Sequence, residues 1–228
     1  MKIFGRPLEL VILDVDGVIL DLMKYFQQNL ETTAKRFRLP CEPIRKYFKE
    51  VHDGIKHNHT SIRDSIKTFW THLSTEERSQ YVACFQEEER NNSYPAIEGS
   101  KEAILWFRNR NIPVALCTAN DRAGLFHRLT MAGVRLSWFT TFNTKDDTYP
   151  KPDPRALDSI FDSTMIKRNN AVFVGDWYPD LEVTRGADVE FIAVLSGVLT
   201  RETFIREGTL NDHIIDRLSD IRKLIQLI

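Results

Sequence analysis

The sequence predicts an α/β fold, in which a doubly wound parallel sheet is interrupted by an all-helical insert. Strand-like and helix-like segments alternate from about residue 99 onward, and this alternation with buried strands is typical of a parallel sheet. Between Leu20 and Asn92, by contrast, four helical segments follow one another without a convincing strand. A chain of 228 residues is long enough for one sizeable domain with a smaller insert.

The first strand of the predicted sheet lies in the run from Leu8 to Leu13, which is rich in Val, Leu and Ile. Such a run is expected to be covered on both faces. It ends in Asp14 and Asp16, followed by Gly17, and residues two apart on a strand point to the same side. Asp-Gly is also a common turn signal, so the segment alone is equally compatible with an ordinary acidic turn. Two acids at the end of a core strand are costly unless another group compensates them.

The helical insert follows this glycine, because apolar residues recur there at helical spacing. The predicted segments run from about Phe26 to Leu39, from Pro43 to Val51, from Thr60 to Leu73, and from Ser74 past Phe85. The last begins with a capping box formed by Ser74 and Glu77. We therefore assign residues 20–93 to a helical cap domain and residues 1–19 and 94–228 to the α/β domain.

After a return linker at residues 93–99, helix-like and strand-like segments alternate along the remainder of the chain. Predicted helices cover residues 101–109, 122–132, 154–161, 181–186 and 218–227, with a helical turn near residue 202. Predicted strands cover residues 114–117, 138–142, 171–174, 191–195 and 213–215. Asp153 is the expected N-cap of the third of these helices, with Pro154 at its first position.

The composition is that of a folded globular protein, with 42% hydrophobic and 28% charged residues. The formal net charge of −1 gives no global attraction to nucleic acid or to an anionic membrane. No apolar stretch approaches the roughly 20 residues that span a bilayer, and the N-terminus lacks the apolar segment of a signal peptide. Three scattered cysteines favour reduced thiols. We expect a cytoplasmic monomer or homodimer without nucleic-acid or membrane partners.

Polar side chains follow several of the predicted strands, at the edge where parallel strands place their ligands. These residues are Asp14, Asp16, Thr118, Asn120, Lys151, Asp176 and Asp180. An acid cluster with one lysine and one hydroxyl suits a divalent cation together with a phosphoryl group. The cation offsets repulsion between the acids, and Mg²⁺ prefers oxygen ligands.

Four short motifs in this order resemble those of the haloacid dehalogenase superfamily. They are Asp14-Val15-Asp16-Gly17-Val18, Thr118, Lys151, and Gly175-Asp176 with Asp180. Each motif is weak alone, but all four in order at predicted strand ends are specific. The resemblance covers nearly the whole chain, since a helical insert after the first motif is similar to the type-one cap of that family on its Rossmann-like core. The phosphoglycolate-phosphatase-like and β-phosphoglucomutase-like members are the most similar in character.

The resemblance implies a role for each acid. Asp14 would be the nucleophile that forms an aspartyl-phosphate. Asp16 would be the general acid and base, and its backbone carbonyl would also bind Mg²⁺. Asp14 and Asp176 would be the carboxylate ligands of that cation, whereas Asp180 would orient the lysine or the metal-bound waters.

The resemblance also implies that Thr118 and Lys151 hold the phosphoryl oxygens and that Asn120 contacts the substrate. Taken singly, Thr118 is more often an ordinary strand-end residue and Lys151 a solvated loop lysine. Asp153 is better explained as a helix cap than as a catalytic acid.

A polar loop separates the second and third helices of the insert, and in related caps this loop faces the active site. Our hypothesis is that Lys56, His57 or Arg63 contacts an anionic or hydroxylated leaving group. His52, His57 and His59 also raise the alternative of a zinc site. Ordinary loop histidines are the favoured interpretation, because no fourth ligand and no known ligand spacing are present.

The preferred function is a Mg²⁺-dependent phosphatase that acts on a small phosphorylated metabolite. A phosphoglucomutase-like phosphoryl transferase uses the same residues and stays open, as does a non-catalytic phosphate-binding protein on the same fold, although no acid is missing. Haloacid dehalogenases and phosphonatases are disfavoured because their first motif lacks the second aspartate. A signalling receiver domain is disfavoured because it would be about half this length, without a helical insert.

Overall fold

The computed structural model of the protein describes residues 1–55, 62–92 and 94–227. The chain forms two compact units, Met1–Asp21 with Tyr94–Ile228, and Leu22–Ser93. The first unit is α/β and the second is built of helices. Within the described ranges, no helix combines the length and the apolar character needed to cross a bilayer.

The strands and helices are numbered here in chain order. The strands are β1 (Lys2–Ile3), β2 (Arg6–Pro7), β3 (Leu10–Leu13), β4 (Val114–Cys117), β5 (Phe142–Asn143), β6 (Ala171–Gly175), β7 (Glu190–Val194), β8 (Ile214–Ile215) and β9 (Ile225–Gln226). The α-helices are α1 (Leu22–Arg36), α2 (Glu42–His52), α3 (Ile62–Phe69), α4 (Thr75–Asn91), α5 (Ser100–Arg108), α6 (Arg122–Met131), α7 (Asp158–Thr164), α8 (Tyr178–Ala187) and α9 (Arg201–Arg206). Short 3-10 helices lie at Leu136–Trp138, Pro154–Leu157, Arg168–Asn170, Asn211–His213 and Leu218–Leu224.

The main sheet of the first unit has six parallel strands in the order β5-β4-β3-β6-β7-β8. The predicted α/β class, a doubly wound parallel sheet with helical segments inserted after its first strand, is thereby confirmed. All four residues of β3 are buried, as expected for a central strand covered on both faces. The register pairs Leu13 with Leu116 of β4 and with Val174 of β6. The three strands therefore end within two residues of one another, at one edge.

A second sheet was not predicted. It is antiparallel, with the order β2-β1-β9, and joins the two ends of the chain. The turn between β1 and β2 has positive φ at Phe4 and Gly5, 49° and 77°. The predicted final helix over 218–227 is wrong, because a 3-10 helix at Leu218–Leu224 leads into β9. Its apolar spacing fits either structure over so short a segment, and pairing with β1 decides the outcome.

Two other predicted elements need correction. The predicted strand over 138–142 is a 3-10 helix at Leu136–Trp138 followed by the two-residue β5. The predicted helix over 154–161 begins with 3-10 geometry before α7. Its cap is as predicted, since the Asp153 carboxylate accepts a hydrogen bond of 2.9 Å from the backbone N–H of Arg155.

The second unit has its own core, formed between α1, α2, α3 and α4. The largest aromatic residues in it include Phe48, Phe69, Trp70, Tyr81 and Phe85. The rings of Trp70 and Tyr81 lie 5.1 Å apart between centroids. The predicted capping box is present at the start of α4, where Ser74 and Glu77 exchange hydrogen bonds of 2.8 and 3.2 Å.

Candidate active site

Three buried aspartates meet at the carboxyl edge of the main sheet. Asp14 follows β3, Asp176 follows β6, and Asp180 lies in the first turn of α8. Each places one carboxylate oxygen within 4.8 Å of the others. Burial, together with the neighbouring acids Asp180 and Asp16, raises the pKa of Asp14 to about 7, although Lys151 opposes this rise. Burial and the other two aspartates also raise the pKa of Asp176 well above its usual range.

Lys151 enters this acidic cluster from the loop after β5. Its ammonium nitrogen lies 2.9 Å from Asp14 Oδ1 and 2.6 Å from Asp180 Oδ1, and its side chain is almost fully buried. Burial alone would lower the pKa of Lys151, but the two carboxylates outweigh it and raise that pKa. The lysine therefore stays charged, yet a single ammonium faces three carboxylates.

This donor set fits a divalent cation of the Mg²⁺ type. The three acids offer only oxygen ligands, which Mg²⁺ prefers. The raised pKa values of Asp14 and Asp176 show that the protein alone does not compensate their charge. An additional positive charge at this position would favour the ionised carboxylates.

Asp180 is held by both of its oxygens. Oδ1 accepts from Lys151, whereas Oδ2 accepts backbone N–H bonds from Asp176 and Trp177, each 3.1 Å long. The carboxylate therefore fixes the lysine and the loop after β6 together. This agrees with the supporting position expected for Asp180, and its role stays a prediction.

Two glycines bring the backbone against the Asp176 carboxylate. Gly17 has a φ of +77°, and a Cβ atom at Gly17 or Gly197 would overlap the carboxylate. The backbone N–H of Val198 donates to Asp176 Oδ2 at 2.8 Å, and the Ser196 hydroxyl donates to the Gly17 carbonyl at 2.7 Å. The segment after β7 was not predicted to be part of the site. A Ser-Gly pair one residue beyond the end of a buried strand is the signal that indicates such a close approach.

A second network surrounds Asp16. Its Oδ2 atom accepts hydrogen bonds of 2.8 Å from both Asn120 Nδ2 and Arg128 Nη1. Its Oδ1 atom is buried and has no hydrogen-bond partner among the described residues. Asn120 Nδ2 also donates to the hydroxyl of buried Thr118 at 3.0 Å. The predicted residues Asp16, Thr118 and Asn120 thus form one connected group.

Arg128 is the residue of this network that sequence reasoning missed. It lies on α6, and its Nη1 atom donates to Asn120 Oδ1 at 2.7 Å as well as to Asp16. An arginine in an amphipathic helix usually points to solvent, so no local signal marks it. Only the tertiary structure, which brings Arg128 of α6 next to the residues after β3, shows that Asp16 is its partner.

Of the three insert residues expected to contact the leaving group, the structure describes Arg63. Lys56 and His57 lie outside the described residues, as does His59 of the alternative zinc site. Arg63 lies near the start of α3, is exposed, and donates to the Ser79 hydroxyl at 3.3 Å. Contact of these side chains with a substrate stays a prediction.

Comparisons with known proteins identify relatives in sequence and in fold. A phosphoglycolate phosphatase of Pseudomonas savastanoi pv. phaseolicola is 24% identical over 230 residues, which cover 97% of this chain and 80% of that protein. A phosphoglycolate phosphatase of Nitrosococcus oceani is 22% identical over 95% of this chain and 96% of its own length. The crystal structure described as a predicted phosphoglycolate phosphatase from Haemophilus somnus superposes with a TM-score of 0.80. Its identity is 17%, with 96% of this chain and 98% of that chain covered.

The family comparison covers the larger part of the chain. The family model of haloacid dehalogenase-like hydrolases matches residues 11–194, a span that contains all of the clustered acids, Lys151 and the whole helical unit. With this match and the shared fold, the chain belongs to the haloacid dehalogenase-like hydrolase family.

Proposed function

We propose that the protein is a Mg²⁺-dependent phosphatase that hydrolyses a small phosphate monoester through a phospho-aspartate on Asp14. The observation that carries the proposal is the buried Asp14 carboxylate beside the Lys151 ammonium and within one acidic cluster with Asp176. Membership of a hydrolase family supports the reaction class. The relatives named phosphoglycolate phosphatases make phosphoglycolate the first ester to test.

In the first step, a carboxylate oxygen of Asp14 attacks phosphorus while the bond between phosphorus and the ester oxygen breaks. Asp16 gives a proton to the departing oxygen, so the leaving group departs as a neutral alcohol. Lys151 and Thr118 hold the phosphoryl oxygens and stabilise their charge in the transition state. The carboxylates of Asp14 and Asp176 and the carbonyl of Asp16 would hold Mg²⁺, which supplies further compensation of negative charge when bound.

In the second step, a water molecule attacks phosphorus and the bond to the Asp14 oxygen breaks. Asp16, now a carboxylate, takes the proton of that water, and inorganic phosphate is released. Asp14 returns to its starting form, so the two aspartates complete a cycle without a net change. Asp180 holds Lys151 in place throughout.

We further propose that residues 20–93 act as a cap domain, and that Lys56, His57 or Arg63 binds the leaving group. Closure of a cap excludes bulk water while the phospho-aspartate forms. Single alanine variants at the three positions should raise KM for the best ester several-fold with little change in kcat. Unchanged KM in all three variants would remove this part of the proposal.

The test is release of inorganic phosphate from a panel of small phosphate esters, phosphoglycolate included, with Mg²⁺ or with EDTA. Wild type should turn over at least one ester only with Mg²⁺, and Asp14→Asn should lose at least about 10³-fold in rate. Asp153→Asn is the matched control, because it changes a partly exposed capping aspartate outside the acid cluster.

The possible failures of this test are distinct. A folded wild type that releases no phosphate from any ester contradicts the phosphatase proposal. Turnover that is insensitive to EDTA removes only the Mg²⁺ requirement. An isomeric sugar phosphate formed without inorganic phosphate would identify the phosphoglucomutase-like transferase instead.

A further inference from the structure

We infer that Arg128 is a positioning residue, which holds the carboxylate of Asp16 for proton transfer to the leaving-group oxygen and then from the attacking water. The inference rests on the proposed function, since it concerns the step assigned there to Asp16. Neither the four motifs nor the family match assigns this arginine a role. It is identified by its contacts alone.

The contacts form a closed triangle of three side chains. Arg128 Nη1 donates to Asp16 Oδ2 at 2.8 Å and to Asn120 Oδ1 at 2.7 Å, and Asn120 Nδ2 completes the triangle by donating to Asp16 Oδ2 at 2.8 Å. One carboxylate oxygen thus accepts two donors that are themselves linked. Such a linked set restricts rotation of the carboxylate more than two independent bonds do.

Arg128 is itself held in place from a second side. Its guanidinium carbon lies 4.9 Å from the centre of the Tyr94 ring, a distance typical of a cation–π contact. Tyr94 is fully buried, and it is the first residue of the chain's return into the α/β unit. The Arg128 and Asp16 side chains are each only 18% exposed, so their ion pair is less screened than a surface pair.

The hydrogen bonds to Oδ2 do not engage the other carboxylate oxygen of Asp16, Oδ1. Oδ1 is buried without a hydrogen-bond partner among the residues that the structure describes. A buried carboxylate oxygen in this state is unfavourable unless a further group meets it. An oxygen fixed through its neighbour and otherwise unengaged suits an atom that gives a proton to a leaving group and then takes one from water.

The chemical consequence is a specific defect when the guanidinium is removed. Asp16 would keep Asn120 but lose its charged anchor, so proton donation would be misaligned. An alkyl leaving group needs that proton, whereas nitrophenolate is stable without it. Loss of Arg128 should therefore slow alkyl esters much more than p-nitrophenyl phosphate.

The experiment measures kcat/KM, which reports the step that breaks the ester bond, for the best alkyl ester and for p-nitrophenyl phosphate with Mg²⁺. We expect Arg128→Met to lower kcat/KM about 30- to 100-fold on the alkyl ester and less than about 5-fold on the aryl ester. Arg128→Lys, which keeps the charge, should recover most of the loss. Arg122→Met is the matched control on the same helix, since Arg122 pairs with Asp147 at 3.1 Å at the surface, and should leave both values unchanged.

A double-mutant cycle tests whether the arginine acts through the aspartate. In an Asp16→Asn background, measured on p-nitrophenyl phosphate, Arg128→Met should change kcat/KM less than about 2-fold. A loss there of more than about 5-fold, which exceeds the loss expected for Arg128→Met alone on this ester, would mean that Arg128 acts on the substrate independently and would overturn the inference. Equal losses of kcat/KM on both esters for Arg128→Met would also overturn the inference, as would no loss on either ester. In each of these cases, turnover by the wild type would leave the proposed phosphatase function intact. A wild type without turnover would overturn both.

Discussion

The aromatic core of the helical unit and the carboxyl edge of the main sheet bury polar groups in different ways. In the helical unit, Tyr81 donates its hydroxyl to the Leu30 carbonyl at 2.7 Å, and Trp70 donates its indole N–H to the Pro40 carbonyl at 3.2 Å. Both side chains otherwise pack against other rings. Each of these two buried polar atoms is neutral and has one partner, so both serve the packing of the core. The buried carboxylate of Glu88 in the same unit is ionisable, but it pairs with Arg36 at 2.7 Å.

At the carboxyl edge of the main sheet, the buried polar groups are ionisable and incompletely compensated. Asp14, Asp176 and Asp180 share the ammonium of Lys151, and one oxygen of Asp16 has no partner among the described residues. Burial itself therefore does not separate a core from a site. The difference is whether the buried polar groups compensate one another's charges and hydrogen bonds. Ligands are expected at clusters of buried polar groups that do not.

The largest effect is expected from Lys151→Met, which keeps the length of the side chain but removes the charge. Three buried carboxylates would lose the ammonium that faces them, so the free energy of unfolding should fall by about 3–5 kcal/mol at pH 8. Phosphate release should fall at least about 10³-fold. Urea unfolding and the phosphate assay measure the two losses.

Lys145→Met provides the comparison for this variant, because Lys145 lies exposed on the loop that precedes Lys151. Lys145→Met should change neither the free energy of unfolding nor the rate of phosphate release. If Lys151→Met were as stable as wild type at pH 8, the acid cluster would not depend on its lysine, and the contrast between the units would fail.

The next effect is the pH dependence of the metal-free protein. The pKa of Asp14 rises from 3.8 in its ordinary state to about 7 when folded, chiefly through burial. Between about pH 4 and 7 the folded state therefore binds more protons than the unfolded chain, and stability falls as the pH rises through this window. A carboxyl of this kind contributes about 1.4 kcal/mol per pH unit. The raised pKa of Lys151 acts only at alkaline pH and leaves this window unaffected.

Urea unfolding in EDTA at several pH values between 4.5 and 7.5 measures this slope, and Asp14→Asn should make it shallower. Mg²⁺ should restore most stability at the upper end of the range, where the acids are ionised. A difference between wild type and Asp14→Asn that is independent of pH would show that Asp14 is not protonated in the folded protein.

The same contrast explains how much could be predicted from the sequence. The sheet, the helical insert and the acids at strand ends follow from local periodicity and from residues that stand next to a buried run, such as Asp14. The role of Arg128 could not be predicted in this way, because its partner Asp16 is 112 residues away in sequence and the pattern of its own helix does not distinguish it. The β1–β9 pairing was missed for the same reason, since two-residue strands carry no periodicity. Contacts between segments that are distant in sequence decide both the position of Arg128 and the pairing of β1 with β9.

A smaller effect is expected in the helical core. Phe85→Leu removes ring contacts with Phe26, whose centroid lies 5.3 Å away, but leaves every polar group with its partner. The free energy of unfolding should fall by about 1–2 kcal/mol, because an apolar core adjusts to a smaller apolar residue. Urea unfolding measures it. A loss as large as that of Lys151→Met would mean that this packing is as demanding as the charge cluster.

The smallest effect concerns the capping box of α4. Ser74→Ala removes the side-chain acceptor for the Glu77 N–H, and such a loss costs about 1 kcal/mol or less at an exposed helix start. Ser79→Ala is the same substitution one turn later, where the hydroxyl bonds back to the Thr75 carbonyl and accepts a long, exposed bond of 3.3 Å from Arg63, and it should change stability little. Equal losses in the two variants, measured by thermal unfolding, would mean that the cap itself contributes nothing. Unequal losses would show that the Ser74 hydroxyl stabilises α4 because it meets a backbone N–H at the helix start that lacks an intrahelical acceptor, whereas at the sheet edge the acids exceed the positive charge that faces them.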